Sequence, residues 1–186
     1  MKILYLGPES PLILWLQDRG NLIVQTSEPL SADAISKQGF SFLISYGYRH
    51  ILRRDILDLF PAINLHISYL PFNRGADPNL WSFVDNTPKG VTIHYIDAGV
   101  DTGDIIAQTR LKLESGTLAT SYAALHAEIQ ALFKRTWPSI EDGTCGRTPQ
   151  PSGGSAHKSK DKFLLESLLV DGWNTAIAKV INGPVK

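Results

Sequence analysis

Ala62-Ile63-Asn64-Leu65-His66-Ile67-Ser68-Tyr69-Leu70-Pro71 reads as a strand that runs into a loop. Side chains on a strand alternate between two faces, so Asn64, His66 and Ser68 share one face and Ile63, Leu65 and Ile67 the other. Three polar groups backed by an apolar face make a platform for chemistry, and Pro71 with the Gly/Asp/Pro loop after it ends that face near a chain reversal. Upstream, the apolar runs 2–6, 21–25 and 40–45 read as further strands, separated by helical segments that start at Ser10-Pro11 and at Ser31. Strands alternating with helices predict an α/β fold with a mainly parallel sheet, whose ligands sit beyond the carboxyl ends of the strands.

Downstream, residues 90–96 predict a strand with Val91, Ile93 and Tyr95 on one face and Thr92 and His94 on the other. The segment after it carries Asp97, Asp101 and Asp104, and Gly99 and Gly103 allow it to coil tightly and aim a carboxylate inward. Taken alone, each aspartate reads first as an ordinary turn former. His66, His94 and Asp101 are residue types that bind zinc, but that reading leaves Asn64 idle and lacks a closely spaced ligand pair. A calcium loop is opposed by Gly99, where an oxygen ligand belongs, and by the absence of a closing glutamate.

Asn64-Leu-His66, Leu70-Pro71, Gly90-Val-Thr92-Ile-His94 and Asp97-Ala-Gly99-Val-Asp101-Thr-Gly103 together resemble, in order and spacing, the formyltransferases that use 10-formyltetrahydrofolate. The likeness runs more weakly upstream through 45–49 and downstream to about Lys162. It implies a Rossmann-like formyltransferase fold with helices on both faces of the sheet, catalysis by Asn64, His66 and Asp101, 10-formyltetrahydrofolate as co-substrate, and no metal. It also implies that loop 45–50 holds the pterin partly through its backbone, with folate contacts at Tyr46, Tyr48, Arg49, Ile51 and Asp97. Asn73, Arg74 and Asp77, directly after the catalytic strand, are expected to meet the acceptor. In the chemistry this implies, an amine attacks the formyl carbonyl while Asn64 and His66 donate to the developing oxyanion. His66 carries the proton, and Asp101 orients it and raises its pKa.

The length of 186 residues suits a single catalytic domain over 1–186, with a loop-rich 141–160 packing back on it and a helical 161–181 presenting Phe163, Leu164, Leu168 and Ile177 for burial. Helices are predicted over 51–60, from Asp77-Pro78, and over 118–137, the last stopped by Pro138. Residues 104–113 read as a strand. Eighteen basic residues balance eighteen acidic ones, Cys145 is the lone cysteine, and no window is apolar enough to span a membrane. A cytoplasmic protein with neither nucleic acid nor membrane as partner is expected, a homodimer being compatible. No Gly-x-Gly-x-x-Gly follows the first strand, which disfavours NAD; Gly7-Pro8-Glu9-Ser10 leaves a helix start that can receive an anion.

Within the family, a second domain to grip tRNA is not expected beyond Lys186, and the glycine-rich phosphate loop of the glycinamide ribonucleotide enzymes is absent after the first strand. Segments 46–48, 73–78 and 81–94 look most like the small amino-sugar N-formyltransferases, so a nucleotide-linked amino sugar is the expected acceptor, with a 4-amino-4,6-dideoxysugar as one form. The alternatives are a formylation domain of nonribosomal peptide type, a formyltetrahydrofolate hydrolase, and a folate-binding module without turnover.

Overall fold

The computed structural model describes residues 1–181, without the side chains of Lys162 and Leu164. In chain order the elements are β1 (Lys2–Leu6), α1 (Pro11–Gln17), β2 (Leu22–Thr26), α2 (Ala32–Ser36), β3 (Phe42–Ser45), α3 (Arg54–Leu57), β4 (Ala62–His66) and β5 (Arg74–Gly75). They continue as α4 (Pro78–Val84), β6 (Gly90–Tyr95), β7 (Ile105–Arg110), α5 (Leu118–Glu141), β8 (Ala156–His157), two 3-10 helices (Ser159–Leu168 and Gly172–Asn174) and α6 (Ile177–Ile181). The main sheet has the order β2-β1-β3-β4-β6-β7; the pairs among β1 to β4 are parallel, and β6 runs antiparallel to both of its neighbours. This is the mainly parallel, Rossmann-like α/β sheet predicted above.

Helices cover both faces. Leu12 and Leu16 of α1 and Leu125, Ile129, Phe133 and Trp137 of α5 pack on Ile3, Tyr5, Ile44, Ile63, Leu65 and Ile93. On the other face, Ile35 of α2 and Ile56 of α3 pack on Leu4, Leu6, Leu43 and Ala62. A third cluster joins α4 (Leu80, Trp81, Phe83) to Leu118, Leu165, Leu168, Ile177 and Val180. Ser10 caps α1 by accepting from Leu12 N–H, with Pro11 at the first position, as its sequence suggests.

Several helix lengths differ from the sequence reading, each for an identifiable reason. α5 does not stop at Pro138 but continues to Glu141. Trp137 and Ile140 are buried, Trp137 edge-on to Phe42 at 6.1 Å, and this burial outweighs the ~3 kcal/mol that an internal proline costs. Tyr122, expected on the apolar stripe of α5, is 45% exposed. The helix expected over 51–60 shrinks to Arg54–Leu57, because an extended approach turns Leu52 into the core and leaves Ile51 77% exposed. Residues 161–181 do not form one helix. Leu118 N–H donates to Thr175 O and Thr117 bridges Ala176, so the chain breaks there to deliver Leu168 and Ile177 to the α4 cluster. Phe163 is 65% exposed, and the side chain of Leu164 lies outside the described residues. Asp77 precedes α4 in a left-handed conformation and makes no side-chain cap. The strand expected over 104–113 is confined to Ile105–Arg110.

The α5 face carries the largest buried rings. Phe133 lies 5.2 Å from Trp137 and 6.0 Å from Trp15, centroid to centroid. Phe133→Ala is expected to lower unfolding stability by about 3–5 kcal/mol, read from the denaturant midpoint at unchanged m-value; a loss below ~1 kcal/mol would show that this layer is not tightly packed.

Candidate active site

The carboxyl end of β4 and the turn after β6 converge on one polar cluster. Asn64 and His66 project from the same face of β4, as their spacing requires, and β6 places His94 opposite Asn64 and Thr92 opposite His66. The β6–β7 register shifts between Ile93 and His94, the sort of irregularity that re-aims a side chain beside a site. Asp101 arrives from the loop between β6 and β7, at φ 52. A left-handed backbone is uncommon for a residue with a Cβ, and Asp is among the types that tolerate it.

Hydrogen bonds define the cluster. Asn64 Nδ2 donates to Asp101 Oδ1 at 3.0 Å and lies 3.3 Å from His94 Nε2. His94 Nδ1–H donates to Tyr95 O at 2.7 Å, so in the neutral tautomer Nε2 accepts from Asn64 and both amide hydrogens of Asn64 are engaged. Gly75 N–H donates to Asp101 Oδ2 at 2.8 Å. His66 Nε2–H donates to Asn73 O at 3.2 Å, which leaves Nδ1 as the basic nitrogen, 3.7 Å from Asp101 Oδ2. The structure thus brings Asn64, His66 and Asp101 together and adds His94, which sequence reasoning placed within a motif without giving it a part.

Burial pushes His66 below the ordinary histidine value, with His94 adding to the depression; the charge of Asp101 and the Asn73 carbonyl oppose it without reversing it. Asp101 does pull the His66 pKa upward, as expected, but burial of a side chain only 8% exposed outweighs it and the imidazole rests neutral. Burial by itself would raise Asp101, but His66, His94 and the Gly75 N–H together hold it well below the usual carboxylate range, so it stays ionised.

The loops around the cluster are braced by side chains. Thr92 Oγ1 donates to Ser68 O, and Gln108 Nε2 donates to both Thr92 Oγ1 and Leu70 O, fixing the chain as it leaves β4. Gln150 donates to the carbonyls of Asp101 and Gly103, both at 2.8 Å, and accepts from Arg74 Nε and Nη2. β8 pairs with β5, so residues 150–157 form one wall of the site. The sequence reading expected the segment 141–160, with its Pro149-Gln150, to pack back on the domain but gave Gln150 no task of its own.

The residues expected to hold ligands are disposed unevenly. Asn73 is fully buried, its amide bonded to Thr87 and Ser155, so it reaches the chemistry through its carbonyl on His66 and not by touching an acceptor. Arg74 is committed to Gln150. Tyr46 is 5% exposed, with its hydroxyl on His126 Nδ1, and offers no open ring face. Tyr48 is half-buried and donates to Glu28 O, Ile51 is exposed, and Asp97 accepts from Gly99 N–H and Thr102 Oγ1 as a turn former. Arg49 and Asp77 line one cavity, together with Ile67, Tyr122 and Trp173, of which Trp173 had no part in the sequence reading and Tyr122 was expected in the core.

The sequence profile of the formyl transferase family matches residues 18–136. The crystal structure of the formyltransferase PseJ from Anoxybacillus kamchatkensis, in complex with UDP-4,6-dideoxy-4-formamido-L-AltNAc and tetrahydrofolate, is similar at 49% identity and TM-score 0.93, covering 97% of this chain and 98% of that one. A 4-N formyltransferase from Francisella tularensis shares the fold at 21% identity and TM-score 0.76, covering 88% of this chain and 79% of that one. Methionyl-tRNA formyltransferase of Agathobacter rectalis is 36% identical over 140 residues, which are 73% of this chain and 45% of that relative. The chain therefore spans about half or less of the tRNA-modifying relatives it matches.

Two predictions follow from this geometry. The folded-state pKa of His66 lies below 6.5, so the unfolded chain binds its proton first. Stability contributed by the neutral imidazole is present above about pH 6.5 and declines as pH falls beneath it. The urea midpoint should drop between pH 7.5 and 5.5, and the drop should be shallower in His66→Asn, with His126, also lowered by burial, carrying the remainder; equal slopes would mean that His66 is already charged in the fold. Second, Gln150→Ala should release the Asp101 turn and lower turnover by about 10²-fold, the cost of a ~1 Å misplacement, with little change in the unfolding midpoint; full activity would remove Gln150 from the positioning of Asp101.

Proposed function

The chain belongs to the formyl transferase family, and on that premise we propose that it transfers a formyl group from 10-formyltetrahydrofolate to the primary amine of a nucleotide-linked amino sugar. The observation that carries the acceptor class is the 49% identity to PseJ across 97% of this chain. The ligands of the PseJ complex support a 4-amino-4,6-dideoxysugar as the acceptor. The donor set at the β4 edge fits direct transfer between an acyl donor and an amine: it comprises a neutral imidazole, a carboxylate and an amide. The acceptor amine is itself the nucleophile, so no serine or cysteine is required.

When bound, 10-formyltetrahydrofolate supplies the formyl carbon as electrophile. The chain's own residues position the amine and move the proton. Asn64 has both N–H groups engaged by Asp101 and His94, which leaves Oδ1 to accept from the attacking amine and align its lone pair. This revises the expectation that the Asn64 amide donates to the oxyanion. His66 Nδ1 takes the proton that the amine releases on attack, and Asp101, 3.7 Å away, stabilises the resulting imidazolium. That same Nδ1–H then faces the oxygen that gains charge and next serves the departing nitrogen as acid. Asn73 O fixes the tautomer throughout by holding Nε2–H.

The test is the purified protein with 10-formyltetrahydrofolate and a UDP-linked 4-amino-4,6-dideoxysugar, scored by mass for a gain of one formyl group. Formylation of the sugar is expected, with charged initiator tRNA left unmodified and folate consumed slowly in amine-free buffer. His66→Asn should lower turnover by ~10²-fold or more. The rate of the wild-type enzyme should fall on the acid side with an apparent pKa below 6.5, as His66 is protonated. Formylation of tRNA at a comparable rate, or equal folate consumption without amine, would overturn the amino-sugar reading.

A further inference from the structure

Loop 45–52 straddles the edge of the sheet. Tyr46 packs with the α5-side cluster, whereas Tyr48 and Leu52 pack with the cluster beneath α2 and α3. The strand β4 is divided in the same way: Ile63, Leu65 and Ile67 belong to the α5 side, so Asn64 and His66 face the other. On the α5 side, beside Ile67 and thus one residue from His66, lies a cavity of about 450 Å³ lined by Arg49, Asp77, Tyr122 and Trp173. That size lies within the range of small-ligand sites, and none of these four side chains takes part in the proton chemistry.

Its lining is chemically specific. Tyr122 is 45% and Trp173 41% exposed, two large rings that the core leaves uncovered. Their centroids are 6.1 Å apart with planes inclined at 45°, and Tyr122 is propped from behind by the His126 ring at 4.2 Å. Inclined rings at that spacing leave no slot between them, so they form a shelf on which a flat heterocycle stacks from outside. Arg49 adds a guanidinium, whose fork matches phosphate oxygens, and the Asp77 carboxylate suits sugar hydroxyl donors.

We propose that this cavity seats the nucleotide half of the acceptor. The base stacks on Tyr122 and Trp173, the diphosphate meets Arg49, and the ribose hydroxyls meet Asp77. The amino sugar then crosses the sheet edge past Ile67 to present its amine to Asn64 and His66. The two ligands thus approach from opposite faces, the folate on the Tyr48 and Leu52 side. This inference rests on the amino-sugar reading above and names the residues that give it a nucleotide specificity; Arg49 moves from the folate to the acceptor.

UDP, uridine and tetrahydrofolate, each titrated separately into the wild-type protein and into Trp173→Ala, Tyr122→Phe and Arg49→Gln, test it. Trp173→Ala should weaken UDP by about 5- to 150-fold, the range measured for loss of one base–aromatic stack. Arg49→Gln should weaken UDP while leaving uridine unchanged, and Tyr122→Phe should bind all three normally because the ring is kept. Tetrahydrofolate affinity should stay within about twofold, and kcat at saturating nucleotide amino sugar should be retained while KM rises. If Trp173→Ala and Arg49→Gln, with normal circular dichroism, formylate the amino sugar with unchanged KM, the cavity assignment fails and the function stands. A loss of tetrahydrofolate affinity in their place gives the cavity to the co-substrate and also overturns it. A wild-type protein that neither binds UDP nor formylates the nucleotide sugar overturns both readings together.

Discussion

A carboxylate taken out of water is costly unless every oxygen finds a donor, and the Asp101 side chain is only 15% exposed. Its donors come from separate parts of the chain, Asn64 on β4 to Oδ1 and the Gly75 amide on β5 to Oδ2, while the imidazoles of His66 on β4 and His94 on β6 flank it at 3.7 and 3.5 Å. Asp101 also sits at φ 52, a conformation that costs of order 1–3 kcal/mol unless the surroundings over-determine it. Gln150 supplies that over-determination by clamping the carbonyls of Asp101 and Gly103 while Arg74 holds Gln150 in turn. The segment 150–157 is therefore part of the site's frame. Its pairing with β5 puts the Gly75 amide where Asp101 needs it.

The same ionised carboxylate sets the state of His66. Burial and Asp101 pull the imidazole in opposite directions, and burial prevails. A charged imidazole at rest would already be bonded to Asp101 and would have no affinity for another proton. A neutral one, with its tautomer fixed by Asn73 O, offers a lone pair at Nδ1 beside a fixed negative charge, so protonation becomes favourable just as an amine becomes acidic on attack. In the proposed mechanism the depressed resting pKa and the nearby carboxylate act at two stages of one proton transfer.

Much of this was legible in the sequence because it depends on period and spacing. Alternation along 62–68 gave the polar face, the strand–helix alternation gave the parallel sheet, and the resemblance to a known family joined Asn64, His66 and Asp101 into one cluster. What was not legible depends on long-range packing. Pro138 stays inside α5 because Trp137 and Ile140 have a core to enter. Asn73 looks like a ligand-binding residue by position, but its amide is consumed by Thr87 and Ser155, and only its carbonyl serves the site. Gln150 lies in a stretch whose composition suggests a linker, and its task appears only once β8 has paired with β5. Tyr122 reads as core from its helical position, yet it is 45% exposed while Leu118, Ser121 and Leu125 beside it on α5 are buried.

These differences share a pattern that bears on specificity. The groups to which the proposed mechanism assigns the proton transfer lie on strands or in turns pinned by hydrogen bonds, which suits a reaction step common to many amines. The groups that could tell one acceptor from another lie on the first turns of α5, on a 3-10 turn at Gly172–Asn174 and on loops, none of which forms part of the main sheet. Changing Tyr122 or Trp173 leaves every hydrogen bond of Asp101 and His66 intact, whereas changing Asn73 or Gln150 disturbs them directly. A fold arranged in this way can exchange its acceptor without rebuilding its proton path. It follows that substrate range within this architecture should be sought at the exposed aromatic shelf and its arginine, while the buried polar cluster accounts for the step that all acceptors share.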